Sequence, residues 1–287
     1  MTHHAFTLAR PATRTTSVIF ASPHSGNAYD ARFLALSVLN ESEIRSSEDA
    51  FVDRLFANAP QFGAPLLTAA APRAFVDLNR APDELDPALI EGVRRLSHNP
   101  RVASGLGVVP RVVSNGRAIY SGKLPLAEAH RRISQFWRPY HDTLQALVDE
   151  NLRSFGESIL VDCHSMPHEA LENVGPPGAP RPNVVLGDRF GAAASSHVVD
   201  RIEAVFTQAG LRVARNMPFA GAYITQHYGR PSRRQHAVQV EIDRSLYMNE
   251  RTLAPHEGFD TFCEVIDAVI AGLAQIGRPA GQEMAAE

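Results

Sequence analysis

Six apolar runs of strand length punctuate the chain: "SVIFA" (17–21), "APLLTA" (64–69), "AFVDL" (74–78), "SILVDC" (158–163), "NVVLG" (183–187) and "AVQVEI" (237–242). Most are rich in β-branched residues and bounded by turn formers, so each predicts a strand. Between them, apolar positions recur every three or four residues. Over 42–57, Ile44, Phe51, Val52, Leu55 and Phe56 fall near one helical face. Over 126–152 the same spacing links Ile133, Phe136, Tyr140, Leu144, Leu147, Val148 and Leu152, with a kink expected at Pro139. Residues 191–208 and 256–276 are two further helices, the second carrying Phe259, Phe262, Val265, Ile266, Val269 and Leu273. Strands separated by helices predict an α/β sandwich with a largely parallel or mixed sheet.

The stretches 79–87 and 173–182 read as loops, and 1–15 and 277–287 as flexible tails. None has the length or composition of a linker, and no internal repeat is present. A single domain over 1–287 is therefore expected.

Composition narrows the function classes. A formal net charge of -3 offers no basic field for nucleic acid, and the local clusters "EGVRRLSHNPR" and "GRPSRRQH" read as solvated faces or loops. The N-terminal residues lack an apolar run of signal-peptide length, and no segment approaches the ~20 apolar residues of a membrane helix. Cys163 and Cys263 form no CxxC motif, which fits a reduced cytoplasmic setting.

Ionisable residues stand where the predicted strands end, and in open α/β sheets that is where ligands bind. "SVIFASPHSG" delivers His24, "AFVDLNR" delivers Asn79 and Arg80, "SILVDCHSM" delivers His164, and "AVQVEIDR" carries Glu241. A lone His after a strand is usually structural. Two, each followed by Ser, favour metal ligation. Catalytic zinc takes three protein ligands and keeps one position open, so a third is needed. "SSEDAFVDRLF" supplies it, from Asp49 or from Glu48, early on the predicted helix, where plain helix-dipole chemistry competes. Glu241 lies in an alternating, half-buried strand, where a carboxylate serves either as a salt-bridge partner or as a general base. Arg80 either pairs with Asp77 or grips a substrate carboxylate or oxyanion. Cys163 has the look of a small buried hydrophobe rather than a nucleophile. Asp162, one residue before it, is placed to accept from an imidazole.

Taken together, these blocks resemble the N-formylglutamate amidohydrolase family. "SPHSGNAYD" (22–30), "EDAFVDRLF" (48–56), "VDLNR" (76–80), "DCHSMP" (162–167), "GAYITQHYGRP" (221–231) and "HAVQVEIDRSLYM" (236–248) match its blocks in order. The second aligns Asp49, rather than Glu48, with the family's acid. The family is similar in fold to zinc carboxypeptidases and aspartoacylases, which implies a three-layer α/β/α sandwich around a mixed, mostly parallel sheet. It also implies a Zn2+ or other divalent metal on His24, Asp49 and His164, Glu241 as base, and Asn79, Arg80 and Tyr223 facing the substrate. Candidates for holding substrate carboxylates are Arg111, Lys123 and His227, against the alternative of ordinary surface charge. The implied activity is hydrolysis of a small N-acyl amino acid, N-formyl-L-glutamate first. Alternatives are a related deacylase, a cysteine hydrolase using Cys163, a non-catalytic binder of a small acidic metabolite, or a structural interaction module. Two positions depart from the family: a glycine pair reads Gly221-Ala222, and an aromatic site reads Pro110. The Pro/Gly-rich 173–182 stretch is a candidate rim or lid.

Overall fold

The structure, a computed structural model, describes residues 4–94, 99–172, 174, 175, 178 and 180–279. Its seven-stranded mixed sheet comprises β1 (Phe6–Ala9), β2 (Val18–Ser22), β3 (Leu66–Ala69), β4 (Ser158–Met166), β5 (Val184–Gly187), β6 (Val213–Arg215) and β7 (Gln235–Asp243). The strand order is β1-β3-β2-β4-β7-β5-β6. β2, β4 and β7 run parallel at the centre, and β5 joins β7 antiparallel. Every residue of β2 and β4 is buried, as is all of β7 after Gln235. This explains why the central strands read as near-continuous apolar runs. With helices around the sheet, the expected α/β class holds, and the arrangement is consistent with three layers.

The chain falls into two compact units of several segments each. The first comprises Met1–Thr7, Pro23–Ala50 and Thr68–Thr143; the second comprises Leu8–Ser22, Phe51–Leu67 and Leu144–Glu287. In the first, Phe33, Phe75 and Tyr120 surround the guanidinium of Arg132, which lies 4.1 Å from the Phe75 ring centre and is fully buried. In the second, the helices Ser196–Gln208 and Phe259–Ile276 bury apolar stripes that include Val199, Ile202, Phe206, Ile266, Val269 and Ile270.

Three sequence expectations need correction, and another, the irregularity near Pro139, takes a specific form. Residues 74–78 are not a strand but a turn. Carbonyls in it and just beyond it are claimed by side chains: Arg132 Nη1 donates to Phe75 O (3.0 Å), Trp137 Nε1 donates to Arg80 O (2.9 Å), and His141 Nε2 lies 2.8 Å from Leu78 O. A segment with its acceptors taken this way has no ladder to join.

Second, 42–57 is not one helix. It breaks into Glu41–Ile44, a 3-10 turn Arg45–Ser47, and Val52–Leu55. Phe51 adopts a left-handed conformation (φ 68), and the Asp49 amide donates to His24 O (3.0 Å) instead of to a helical carbonyl. Glu48 and Asp49 therefore sit in the break, not on a helix.

Third, the irregularity near Pro139 is a π turn over Ile133–Trp137, joining Leu126–Arg132 to Arg138–Phe155. Proline has no amide to give the preceding turn and crowds the carbonyl four residues back, so the helix widens there. The extra residue brings Arg132 and Trp137, five apart, to the same segment 75–80.

Fourth, residues 4–15 are not a loose tail. β1 lies among them, and Arg10 and Arg14 both pair with Glu150. At the other end Gly277 O accepts from the Ser17 amide (2.9 Å); 280–287 lie outside the described residues.

Trp137 offers a direct check on the turn. Trp137→Phe keeps an aromatic ring but leaves Arg80 O without its donor in a buried setting. Chemical denaturation should show a loss of about 1–3 kcal/mol.

Candidate active site

His24 follows β2 by two residues, in "PHSG". Gly26 explains part of that motif: a Cβ there would lie 2.3 Å from Ala71 O, so only glycine lets 23–28 lie against 70–71. His24 is 2% exposed. Its Nε2 lies 2.7 Å from Asp77 Oδ1, and its Nδ1 lies 3.4 Å from Asp49 Oδ2. Asp77 is the centre of a dense array, also accepting from Arg73 Nε (3.0 Å) and the Asn79 amide (2.8 Å). Burial alone would raise its pKa, but His24, Arg73 and Arg80 together outweigh burial and hold the carboxyl well below its ordinary range.

His164 lies inside β4 rather than beyond its end. A period of two puts Asp162 on the same face, and His164 Nε2 lies 3.0 Å from Asp162 Oδ2, as the sequence suggested. The parallel register sets Asp162 beside Gln239 and His164 beside Glu241 of β7. These four side chains therefore share one face of the sheet, and Glu241 is level with His164. Glu241, 8% exposed, accepts from Gln239 Nε2 at 2.7 Å.

His24, Asp49 and His164 each offer a ligand atom, all within 4.8 Å of one another, and all three residues are buried. The donor set fits a divalent metal. A ring that donates its Nε2 proton to a carboxylate keeps the lone pair on Nδ1, so Asp77 and Asp162 would favour the tautomer of each histidine that turns Nδ1 toward a metal. Glu48, the competing acid, is otherwise engaged: Arg45 binds it from Nε (3.1 Å) and Nη2 (3.2 Å), and the Tyr29 hydroxyl donates to it at 2.5 Å.

The chain matches the model of the N-formylglutamate amidohydrolase family over residues 16–248. It belongs to that family. N-formylglutamate deformylase of Pseudomonas aeruginosa is 30% identical over 264 residues, covering 89% of this chain and 90% of that protein. The enzyme of the same name from Pseudomonas putida is 30% identical over 241 residues, covering 81% and 82%. The crystal structure of N-formylglutamate amidohydrolase from Ralstonia eutropha JMP134 superposes with a TM-score of 0.88 at 36% identity, covering 95% of this chain and 98% of that one.

Against that family pattern, the Gly221-Ala222 departure is harmless to the backbone. Gly221 has φ +106, where an added Cβ would strike Thr225 Oγ1 at 2.4 Å, whereas Ala222 has an ordinary negative φ. The glycine that matters is retained. Gly187 of β5, the register partner of Gln239, leaves room for the 219–221 backbone, which a Cβ would meet at 2.7 Å. That loop leads into the helix Tyr223–Tyr228, where the Tyr223 and His227 rings stack at 5.1 Å. Burial, reinforced by Arg230, lowers the His227 pKa, so at neutral pH the ring offers an N–H rather than a charge.

The remaining amidohydrolase candidates are placed as follows. Arg80 is 6% exposed; its Nε donates to Leu106 O (3.0 Å) and lies 3.9 Å from both Asp77 Oδ2 and Glu84 Oε2. Asn79 is 3% exposed in the same turn. Neither stands at a strand end as expected. Arg111 uses Nε on Asp86 (2.8 Å) and Nη2 on Ala103 O (3.4 Å), and Lys123 donates to Pro87 O (2.9 Å). Cys163 is fully buried, its thiol pKa pushed well up by burial and then by Asp162, and its Sγ faces Val161 O. No nucleophile is poised there. Of the 173–182 stretch, residues 173, 176, 177 and 179 lie outside the described residues. A cavity of about 650 Å³ in the first unit, lined by Arg32, Phe33, Phe75, Arg131, Arg132 and Phe136 among others, contains none of the candidate site residues named from the sequence.

Sequence reasoning missed Asp77 as the partner of His24, and it missed Trp137, His141 and Gln239 altogether. Gln239 was within reach, because it precedes Glu241 by two in a strand. Asp77 was hidden by the mistaken strand at 74–78.

No described helix is long and apolar enough to cross a membrane.

Proposed function

We propose that this protein hydrolyses N-formyl-L-glutamate to L-glutamate and formate at a divalent metal, Zn2+ being the first candidate, held by His24, Asp49 and His164. The observation that carries the reading is the convergence of those three buried ligand atoms, with Glu241 level with His164 on the neighbouring strand, in a member of the N-formylglutamate amidohydrolase family. The bound metal would act as a Lewis acid on the formyl carbonyl and acidify a water. Glu241 takes the proton released as the water oxygen attacks the formyl carbon, and it returns that proton to the glutamate nitrogen as the C–N bond breaks. Arg80, held by Leu106 O and Asp77, carries the positive charge that meets the developing oxyanion. Asn79 and Tyr223 contact the substrate. Arg111 leads the candidates for its carboxylates, ahead of Lys123 and of His227 as a neutral donor. Cys163 and Cys263, both free, suit a reducing compartment, and we place the protein in the cytoplasm.

A hydrolysis screen tests the reading. Metal-loaded protein is offered formyl-, acetyl- and succinyl-amino acids, and formate and free amine are quantified. N-formyl-L-glutamate should give the highest kcat/KM; another acyl group in first place would move the assignment to a related deacylase.

A further inference from the structure

Glu241 is a carboxylate on a two-carbon stem, and a base that swings freely spends little time aligned with its proton. The strand supplies a brace. Gln239 precedes Glu241 by two residues on the same face of β7, is 4% exposed, and donates from Nε2 to Glu241 Oε1 at 2.7 Å. That contact fixes the amide orientation, since a carboxylate only accepts. The other end of the amide, Gln239 Oε1, is buried and has no hydrogen-bond partner among the described residues. A buried amide with an unpaired oxygen is costly. Leucine or methionine would fill the same volume without that cost, so the bond to Glu241 is the compensating interaction. Gln239 is the register partner of Asp162 on β4 and of Gly187 on β5, and the 219–221 backbone lies close over Gly187.

We propose that Gln239 is a positioning residue for the general base: it holds one oxygen of Glu241, and with it the plane of the carboxylate, in the orientation that proton transfer requires. This rests on Glu241 being the base, as argued above. Gln239 touches neither substrate nor metal in this role; it acts through Glu241.

The test compares Gln239→Leu and Gln239→Met, alone and combined with Glu241→Gln, in the metal-loaded protein. Two replacements are used so that a folding defect in one leaves the other to decide. Each single change removes one hydrogen bond to a charged group and should lower kcat for N-formyl-L-glutamate about 10- to 100-fold. KM should stay within about 2-fold, because ground-state binding is untouched. Metal content and affinity for L-glutamate by calorimetry should match the wild type. In the Glu241→Gln background the same changes should cost no further rate, since no charged base remains to orient. Wild-type kcat in the single variants would overturn the proposal, as would an equal further loss in the Glu241→Gln background, the mark of a merely structural residue. Wild-type turnover by Glu241→Gln alone would instead overturn the assignment of the base.

Discussion

Glu241→Gln should lower kcat for N-formyl-L-glutamate about 10²- to 10⁴-fold, the span attributed to loss of a general acid–base. The substitution keeps shape and volume and removes the only property the mechanism needs, an ionisable oxygen. Because Glu241 is not among the three proposed ligands, bound metal should be unchanged. KM should move little. The pattern of intact metal, intact binding and lost turnover separates a base from a structural carboxylate in β7. Steady-state kinetics beside elemental analysis of the same preparation reads it, and wild-type turnover would remove the base assignment.

The second large effect is on metal binding itself. His24→Ala and His164→Ala each take one imidazole nitrogen from the proposed three-residue set, and bound metal should fall to less than about a tenth of the wild-type content after dialysis, with activity falling in step. The acids provide an internal control. Asp49→Asn should lose metal as the histidine variants do, whereas Glu48→Gln should keep it, because Glu48 is bound by Arg45 and Tyr29. Equal metal in the wild type and both histidine variants would sink the ligand set.

Much of this site was legible because its parts are local. "PHSG" and "DCHS" each mark a histidine by a short local motif. In the second, Asp162 and His164 face the same way through strand periodicity alone, and the bond between them follows. Glu241 stood out because a carboxylate in a buried run needs a partner or a task. The central strands were legible for the reason that makes them central: both faces are covered, so apolar residues run without interruption.

Where the reading failed, a distant contact overruled a local preference. "AFVDL" has strand composition, yet Arg132, Trp137 and His141, some 57 to 63 residues further on, take the acceptors around it. The turn that results is what aims Asp77 at His24. Residues 42–57 have helical spacing, yet the Asp49 amide pairs with His24 O and Phe51 turns left-handed, and the interruption brings Asp49 to the histidine. Both departures from local preference fall at the site, where function and propensity compete.

From the residues alone came the α/β class, the central strands, both histidines, the glutamate and the family. Tertiary structure alone grouped Asp49, the acid the family blocks had aligned, with the two histidines, made Asp77 the brace of His24, and set Glu241 level with His164. The physical reason is range: periodicity and motif spacing report on neighbours along the backbone, whereas the cluster depends on hydrogen bonds and strand register between segments that the chain itself keeps far apart.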